Sequence, residues 1–152
     1  MSTATLRKDN SLALLQQTQG KPIEVSPSPF MLWLKPVVLH AEQGSLSFQY
    51  VVRKEMTNPM GTLHGGVIAG IVDDTIGATL FTFNEQHFYT TVSLAIDYFL
   101  PARHCDIIVA KTNVIKKGNR MVNVSCEIWN EDMSKLLAKG TSNLLKTTLL
   151  KC

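Results

Sequence analysis

Residues 58–83 read Asn-Pro-Met-Gly-Thr-Leu-His-Gly-Gly-Val-Ile-Ala-Gly-Ile-Val-Asp-Asp-Thr-Ile-Gly-Ala-Thr-Leu-Phe-Thr-Phe. The turn residues Asn58 and Pro59 lead through His64-Gly65-Gly66 into a mostly apolar run that predicts a helix from about His64 to Phe83, with Asp73 and Asp74 at its middle. A helix that begins with two glycines exposes backbone N–H groups able to hold a developing oxyanion. An acid at mid-helix has no capping or dipole role to explain it. Together these features read as a catalytic apparatus.

At about 100° per residue, Val67, Ile68, Ile71, Val72, Thr75, Ala78 and Thr79 share one broad face that a sheet can cover. Asp73 points nearly the opposite way, among Gly66, Gly70, Gly77 and Ala69. Glycine costs a helix roughly 0.8–1 kcal/mol relative to alanine, so such a stripe suggests close approach by a partner backbone or by a ligand. Asp74 lies at the margin of the apolar face and reads as structural. For Asp73, catalysis and a bond to a partner chain are both open on this pattern alone.

Strand-like runs flank the helix. Met31 to His40 and Ser45 to Val52 form an expected hairpin around Glu42-Gln43-Gly44. In His87 to Leu100 the even positions Phe88, Val92, Leu94, Ile96, Tyr98 and Leu100 are apolar, a period-two pattern with one buried face. Asp106 to Ile115, Met121 to Trp129 and Leu136 to Leu145 complete an antiparallel meander of four strands. Leu6 to Gln17 forms a short helix with Leu12, Ala13 and Leu15 inward. The expected organisation is a peripheral arm over 1–29 and one α+β domain over 30–152, with the long helix packed on an antiparallel sheet.

The totals exclude several classes. The chain has 152 residues, 45% hydrophobic and 18% charged, and fits one domain with a sizeable core. Its net charge of +3 is small and its basic residues are scattered, so nucleic acid is not expected as a partner. It shows no signal-peptide pattern and no apolar run of about 18 residues, which predicts a cytoplasmic protein without a membrane partner. Cys105, Cys126 and Cys152 form no C-x-x-C motif, so neither a disulfide framework nor a metal site is expected.

The run Asn58, Gly61, His64-Gly65-Gly66 and Asp73, followed by Thr91-Val92 and Phe99-Leu100-Pro101-Ala102, resembles hotdog-fold acyl-CoA thioesterases of the phenylacetate-pathway type. The resemblance spans about residues 45 to 147 and implies a hotdog fold, a long central helix wrapped by an antiparallel sheet. It implies that Asp73 acts as general base or nucleophile and that the Gly65 N–H polarises the thioester carbonyl. Asn58 would hold the attacking water or the substrate carbonyl, and Thr91 would support the water unless it is an ordinary strand threonine. His64 matches a motif histidine of variable duty, with fixing of the helix start as its alternative. Coenzyme A enters as part of the substrate, with no separate cofactor. Gly66, Arg103 and the hairpin residues Lys117, Gly118 and Arg120 are the expected contacts to it, unless the hairpin tip is merely solvated. Phe81, Phe83, Phe88 and Tyr89 are candidates for acyl pocket or core.

Under these roles geometry adds a consequence. Gly65 and Asp73 are eight residues apart, or about 12 Å of helical rise, whereas a general base works within about 3 Å or through one water. The amide of one copy and the acid of another must therefore meet, which predicts a homodimer with shared sites, alone or paired into a tetramer. The competing readings are a hotdog hydratase or dehydratase acting on acyl thioesters, and a module that binds acyl-CoA without cleaving it.

Overall fold

A computed structural model describes residues 10–147. The start of the expected helix over 6–17 and Cys152 lie outside the described residues. Within them the order is α1 (Ser11–Gln17), α2 (Pro29–Leu34), β1 (Val37–Glu42), β2 (Ser45–Val51), α3 (Gly65–Phe81), β3 (Phe88–Tyr98), β4 (Ile107–Lys117), β5 (Met121–Asn130) and β6 (Leu136–Thr147). The strands form one six-stranded antiparallel sheet in the order β1-β2-β4-β5-β6-β3, curled around α3. This is the α+β hotdog arrangement. No helix among the described residues is long and apolar enough to cross a membrane.

α3 buries Ile68, Ile71, Val72, Thr75, Ile76, Ala78, Thr79 and Leu80, close to the expected face, while Val67 is only partly covered. Its register is fixed by hydroxyls as well as by apolar contact. The Tyr50 hydroxyl lies 3.0 Å from Thr75 Oγ1, and Thr79 Oγ1 lies 2.6 Å from Thr112 Oγ1. Thr75 and Thr79 also donate to the carbonyls of Ile71 and Thr75 one turn back, so none of these buried hydroxyls is left unpaired. Gly140 on β6 permits a close approach of sheet to helix, since a Cβ there would lie 2.8 Å from Val72 Cγ1.

Four expectations are corrected. The run Met31 to His40 is not one strand: Pro29–Leu34 is helical and only Val37 onward is extended. Ser28 accepts a hydrogen bond from the Met31 N–H at 3.1 Å, with Pro29 at the first helical position. Such a cap and proline start a helix regardless of the apolar residues that follow. The meander is broken too, because β3 pairs only with β6 at the sheet edge while β4 crosses to β2.

The third correction concerns β3. A bulge between Thr91 and Ser93 shifts its register against β6, and an inserted residue reverses which side chains face inward. Leu94 and Ile96 pack on the core after the bulge, Tyr89 and Thr91 face α3 before it, and Val92 is 53% exposed. The fourth is at Gly70, where the close neighbour is the Phe30 ring of the same chain, 2.6 Å from where a Cβ would sit. At Gly77 no atom of the described residues lies within 4 Å of such a Cβ.

The segment before α2 is docked on the sheet. Gln16 and Gln19 donate to the carbonyls of Ala41 and Leu39, the Gly20 N–H donates to Val38, and Pro22 bridges to Val37. Leu12, Leu15 and Ile23 pack against the core.

Candidate active site

The loop before α3 is built by Asn58. Its Oδ1 accepts from the N–H groups of Met60 and Thr62 at 3.0 and 3.2 Å, and its Nδ2 donates to Thr62 Oγ1 at 2.9 Å. Gly61 takes φ 73° to close the turn, a conformation glycine adopts freely. Three polar contacts of Asn58 thus go to its own loop, as an Asx turn requires.

The loop delivers His64, whose N–H donates to the Met56 carbonyl at 2.9 Å. His64 is the N-cap of α3, and its Nδ1 accepts from the Gly66 N–H at 2.9 Å. This satisfies one of the donors a helix leaves open at its start. The Gly66 amide is therefore occupied, while the Gly65 N–H donates to no atom of the described residues. At the positive end of a 17-residue helix, that amide is the donor available to an anion. The Tyr98 hydroxyl donates to the Gly65 carbonyl at 3.0 Å, and its ring lies 3.5 Å from where a Gly65 Cβ would be.

Two turns along α3, Asp73 faces β3, and Thr91 Oγ1 donates to Asp73 Oδ1 at 2.8 Å. The β3 bulge falls immediately after Thr91 and sets the parity that turns this hydroxyl toward the helix. Asp74 stands beside it in a different environment. Ser28 Oγ donates to Asp74 Oδ1 at 3.0 Å, while Asp74 Oδ2 is buried without a hydrogen-bond partner. Burial pushes the Asp74 carboxyl up to about 6, against the pull of Ser28 and with a further push from Asp73.

Both acids line a cavity of about 290 Å³. Gly77, Ala78 and Phe81 of α3 and Tyr89 and Thr91 of β3 continue its wall. Phe81 and Tyr89 thus border open space, Phe83 packs against the core, and the Phe88 ring meets Phe81 edge-on at 6.0 Å. Burial and the neighbouring Glu85, which accepts from the Tyr89 hydroxyl at 2.6 Å, hold that phenol in its protonated form.

The expected basic contacts do not form one cluster. Arg103 bridges to Thr62 near the start of α3. Lys117 lies near its other end, where Nζ pairs with Glu85 Oε1 at 2.6 Å and sits 5.0 Å over the Phe83 ring. Lys117 in turn holds the Glu85 carboxyl below its usual range. Gly118 and Arg120 sit in the same β4–β5 turn, tied by backbone bonds to Met121 and Lys146.

Sequence reasoning missed Tyr98, Ser28 and the segment around α1 and α2 as parts of this region. Tyr98 was visible only as an alternating apolar position. Ser28 left a signal in its Ser-Pro pair, which marks a helix start and thus a residue pinned in place.

Comparison with known proteins gives a consistent picture. The profile described as Thioesterase superfamily matches residues 60–137. Acyl-coenzyme A thioesterase 13 of Homo sapiens is 31% identical over 106 residues, covering 70% of this chain and 76% of that protein. A mutant of the phenylacetic acid degradation protein PaaI from Thermus thermophilus superposes with a TM-score of 0.70 at 25% identity, covering 78% of this chain and 98% of that one. A hypothetical thioesterase protein from Streptococcus pneumoniae, solved with coenzyme A, shares the fold at a TM-score of 0.70 and 17% identity, over 77% of this chain and 89% of its own.

Proposed function

This chain belongs to the thioesterase superfamily, and from that membership we propose that it hydrolyses an acyl-CoA thioester to the free acid and CoA in a site shared by two copies. The observation that carries this reading is the pairing of Thr91 with Asp73 in the lining of a mainly apolar cavity, on the helix whose first amide, Gly65, donates to no described residue.

The Asp73 carboxylate acts on the thioester carbonyl carbon in one of two ways. As general base it takes a proton from water as that water adds; as nucleophile it forms an anhydride that water then opens. On either route the carbonyl oxygen becomes an oxyanion, which the Gly65 N–H of a second copy stabilises at a helix start. Collapse of the adduct breaks the C–S bond, and CoA leaves as a thiolate that takes up a proton. Thr91 orients the carboxylate or its water, His64 and Asn58 hold the α3 start in place, and Gly66 and Tyr98 frame the Gly65 amide.

Two observations support the shared site. About 12 Å of helical rise separates Gly65 from Asp73, too far for one carbonyl to engage both. In addition β3 is a sheet edge of 11 residues, and Val92, Tyr98, Phe99 and Leu100 on or just beyond it are each about half exposed. A long apolar edge of that kind is a template for pairing with another chain, and self-pairing of one edge gives a two-fold dimer. Arg103 and the turn bearing Lys117, Gly118 and Arg120 lie at opposite ends of α3. In such a dimer they are contributed to the CoA phosphates by whichever copy brings each end to the site. A cytoplasmic location belongs to the same reading, in keeping with the free thiols of Cys105 and Cys126.

The test is to incubate the protein with short-chain, long-chain and aromatic acyl-CoAs and follow free thiol. Thiol release dependent on Asp73 supports the assignment. Tight acyl-CoA binding without thiol release would instead make the protein a binding module.

A further inference from the structure

The chemistry-bearing residues fall within or close to residues 60–137, which match the superfamily, but half of the cavity beside Asp73 is built from elsewhere. Its far wall comes from the segment around α1 and α2, including Leu14, Leu15, Ile23, Val25 and Met31. Ser28 fastens this wall to α3 through Asp74. The space of about 290 Å³ is well beyond what an acetyl group fills. Among the described residues its lining includes Asp73 and Asp74 but no Lys, Arg or His.

We propose that this cavity is the acyl pocket, that the 11–31 segment sets its length, and that it selects uncharged, apolar acyl groups of medium length while rejecting acyl groups that end in a carboxylate. The proposal rests on the thioesterase reading, because Asp73 in the lining fixes where the thioester lies. From there the tail runs past Gly77, where a Cβ would meet no described residue within 4 Å, toward the aliphatic side chains of the docked segment. A terminal carboxylate carried into this space would be desolvated beside two acids, with no cation among the described lining residues to pair with, a costly burial.

Gly77 makes the pocket testable. A side chain there enters open space rather than protein, and alanine or leucine favours the helix over glycine, so the variants should fold. The probes are acetyl-CoA, octanoyl-CoA and octanedioyl-CoA for hydrolysis, and the hydrolysis-resistant thioether S-octyl-CoA for binding by calorimetry. The wild-type protein is expected to favour octanoyl-CoA over octanedioyl-CoA by about tenfold or more. Gly77→Leu is expected to lower the octanoyl-to-acetyl ratio of kcat/KM, and the affinity for S-octyl-CoA, by about tenfold or more, with Gly77→Ala between it and wild type. Unchanged selectivity and unchanged S-octyl-CoA affinity in Gly77→Leu would overturn the pocket while leaving thioester hydrolysis intact. Loss of S-octyl-CoA affinity in a protein that hydrolyses no acyl-CoA would uphold the pocket and reject the hydrolase.

Discussion

Thr91 Oγ1 donates a 2.8 Å hydrogen bond to Asp73 Oδ1, joining the sheet-edge strand β3 to the middle of α3. The bond exists because the β3 bulge follows directly after Thr91. It leaves the second oxygen of Asp73 for water or substrate.

Removal of that hydroxyl is expected to cost turnover rather than folding. A hydrogen bond to a charged group contributes about 1.5–3 kcal/mol, so Thr91→Ala should lower kcat/KM by about ten- to a hundredfold. Thr91→Ser, which keeps the donor, should recover most of it. Equal losses in the two variants would show that the methyl group, not the hydroxyl, matters.

Asp74 gives a pH signature in stability. Its carboxyl is raised from 3.8 to about 6 in the folded protein, so the folded state holds this proton more tightly than the unfolded chain. The resulting stabilisation is complete below about pH 4 and is lost as pH rises through about 6, a change on the order of 2–3 kcal/mol. Asp74→Asn should therefore melt above wild type at pH 8 and match it below pH 4, with turnover within about tenfold at neutral pH. Thermal unfolding across this range decides, and a parallel offset at every pH would contradict the assignment.

Two glycines separate rigid from yielding contacts. A Cβ at Gly140 would lie 2.8 Å from the buried Val72, whereas one at Gly70 would meet Phe30, which is 42% exposed and has room to swing. Gly140→Ala is expected to cost about 1–3 kcal/mol by overpacking, and Gly70→Ala much less. Denaturant unfolding of both variants tests the ranking.

The edge of β3 is expected to mediate self-association. Val92→Asp places a charge on a half-exposed edge residue that the fold of one chain does not need. It should shift sedimentation toward a single chain and abolish turnover together, with the far-UV spectrum retained. An active monomer would remove the case for a shared site.

Much of the fold was legible because strands such as β2 and β5 alternate cleanly, and because His64-Gly65-Gly66 marks the start of a long, mostly apolar helix. Three things were not. The partner of β3 depends on the connection over 99–106, which pairs with Thr62 and Leu63 just before α3 and which no local pattern encodes. The bulge after Thr91 inverts parity without a Gly or Pro to announce it, so Tyr89 and Thr91 could not be placed toward α3 from alternation. The Pro29–Leu34 helix was hidden by its apolar residues, which satisfy a strand pattern equally well, although Ser28-Pro29 carried the deciding signal. At the site, the sequence placed Asp73 and Gly65 on one helix, but the cavity wall from 11–31 arises only through tertiary docking.

The most direct measurement is complementation between two disabled copies. Gly65→Pro deletes the one amide assigned to the oxyanion at a position where proline fits, the first residue of α3, preceded by His64 at φ −64° and ψ 133°. Asp73→Asn deletes the acid. Each variant alone is expected to lose about several hundredfold in thiol release, from roughly 2.7–4 kcal/mol per central group. Unfolded together in equal amounts and refolded, half of the dimers pair the two variants, and each such pair holds one intact site, so about a quarter of wild-type activity should return. No recovery in a mixture that demonstrably contains mixed dimers would contradict the shared site.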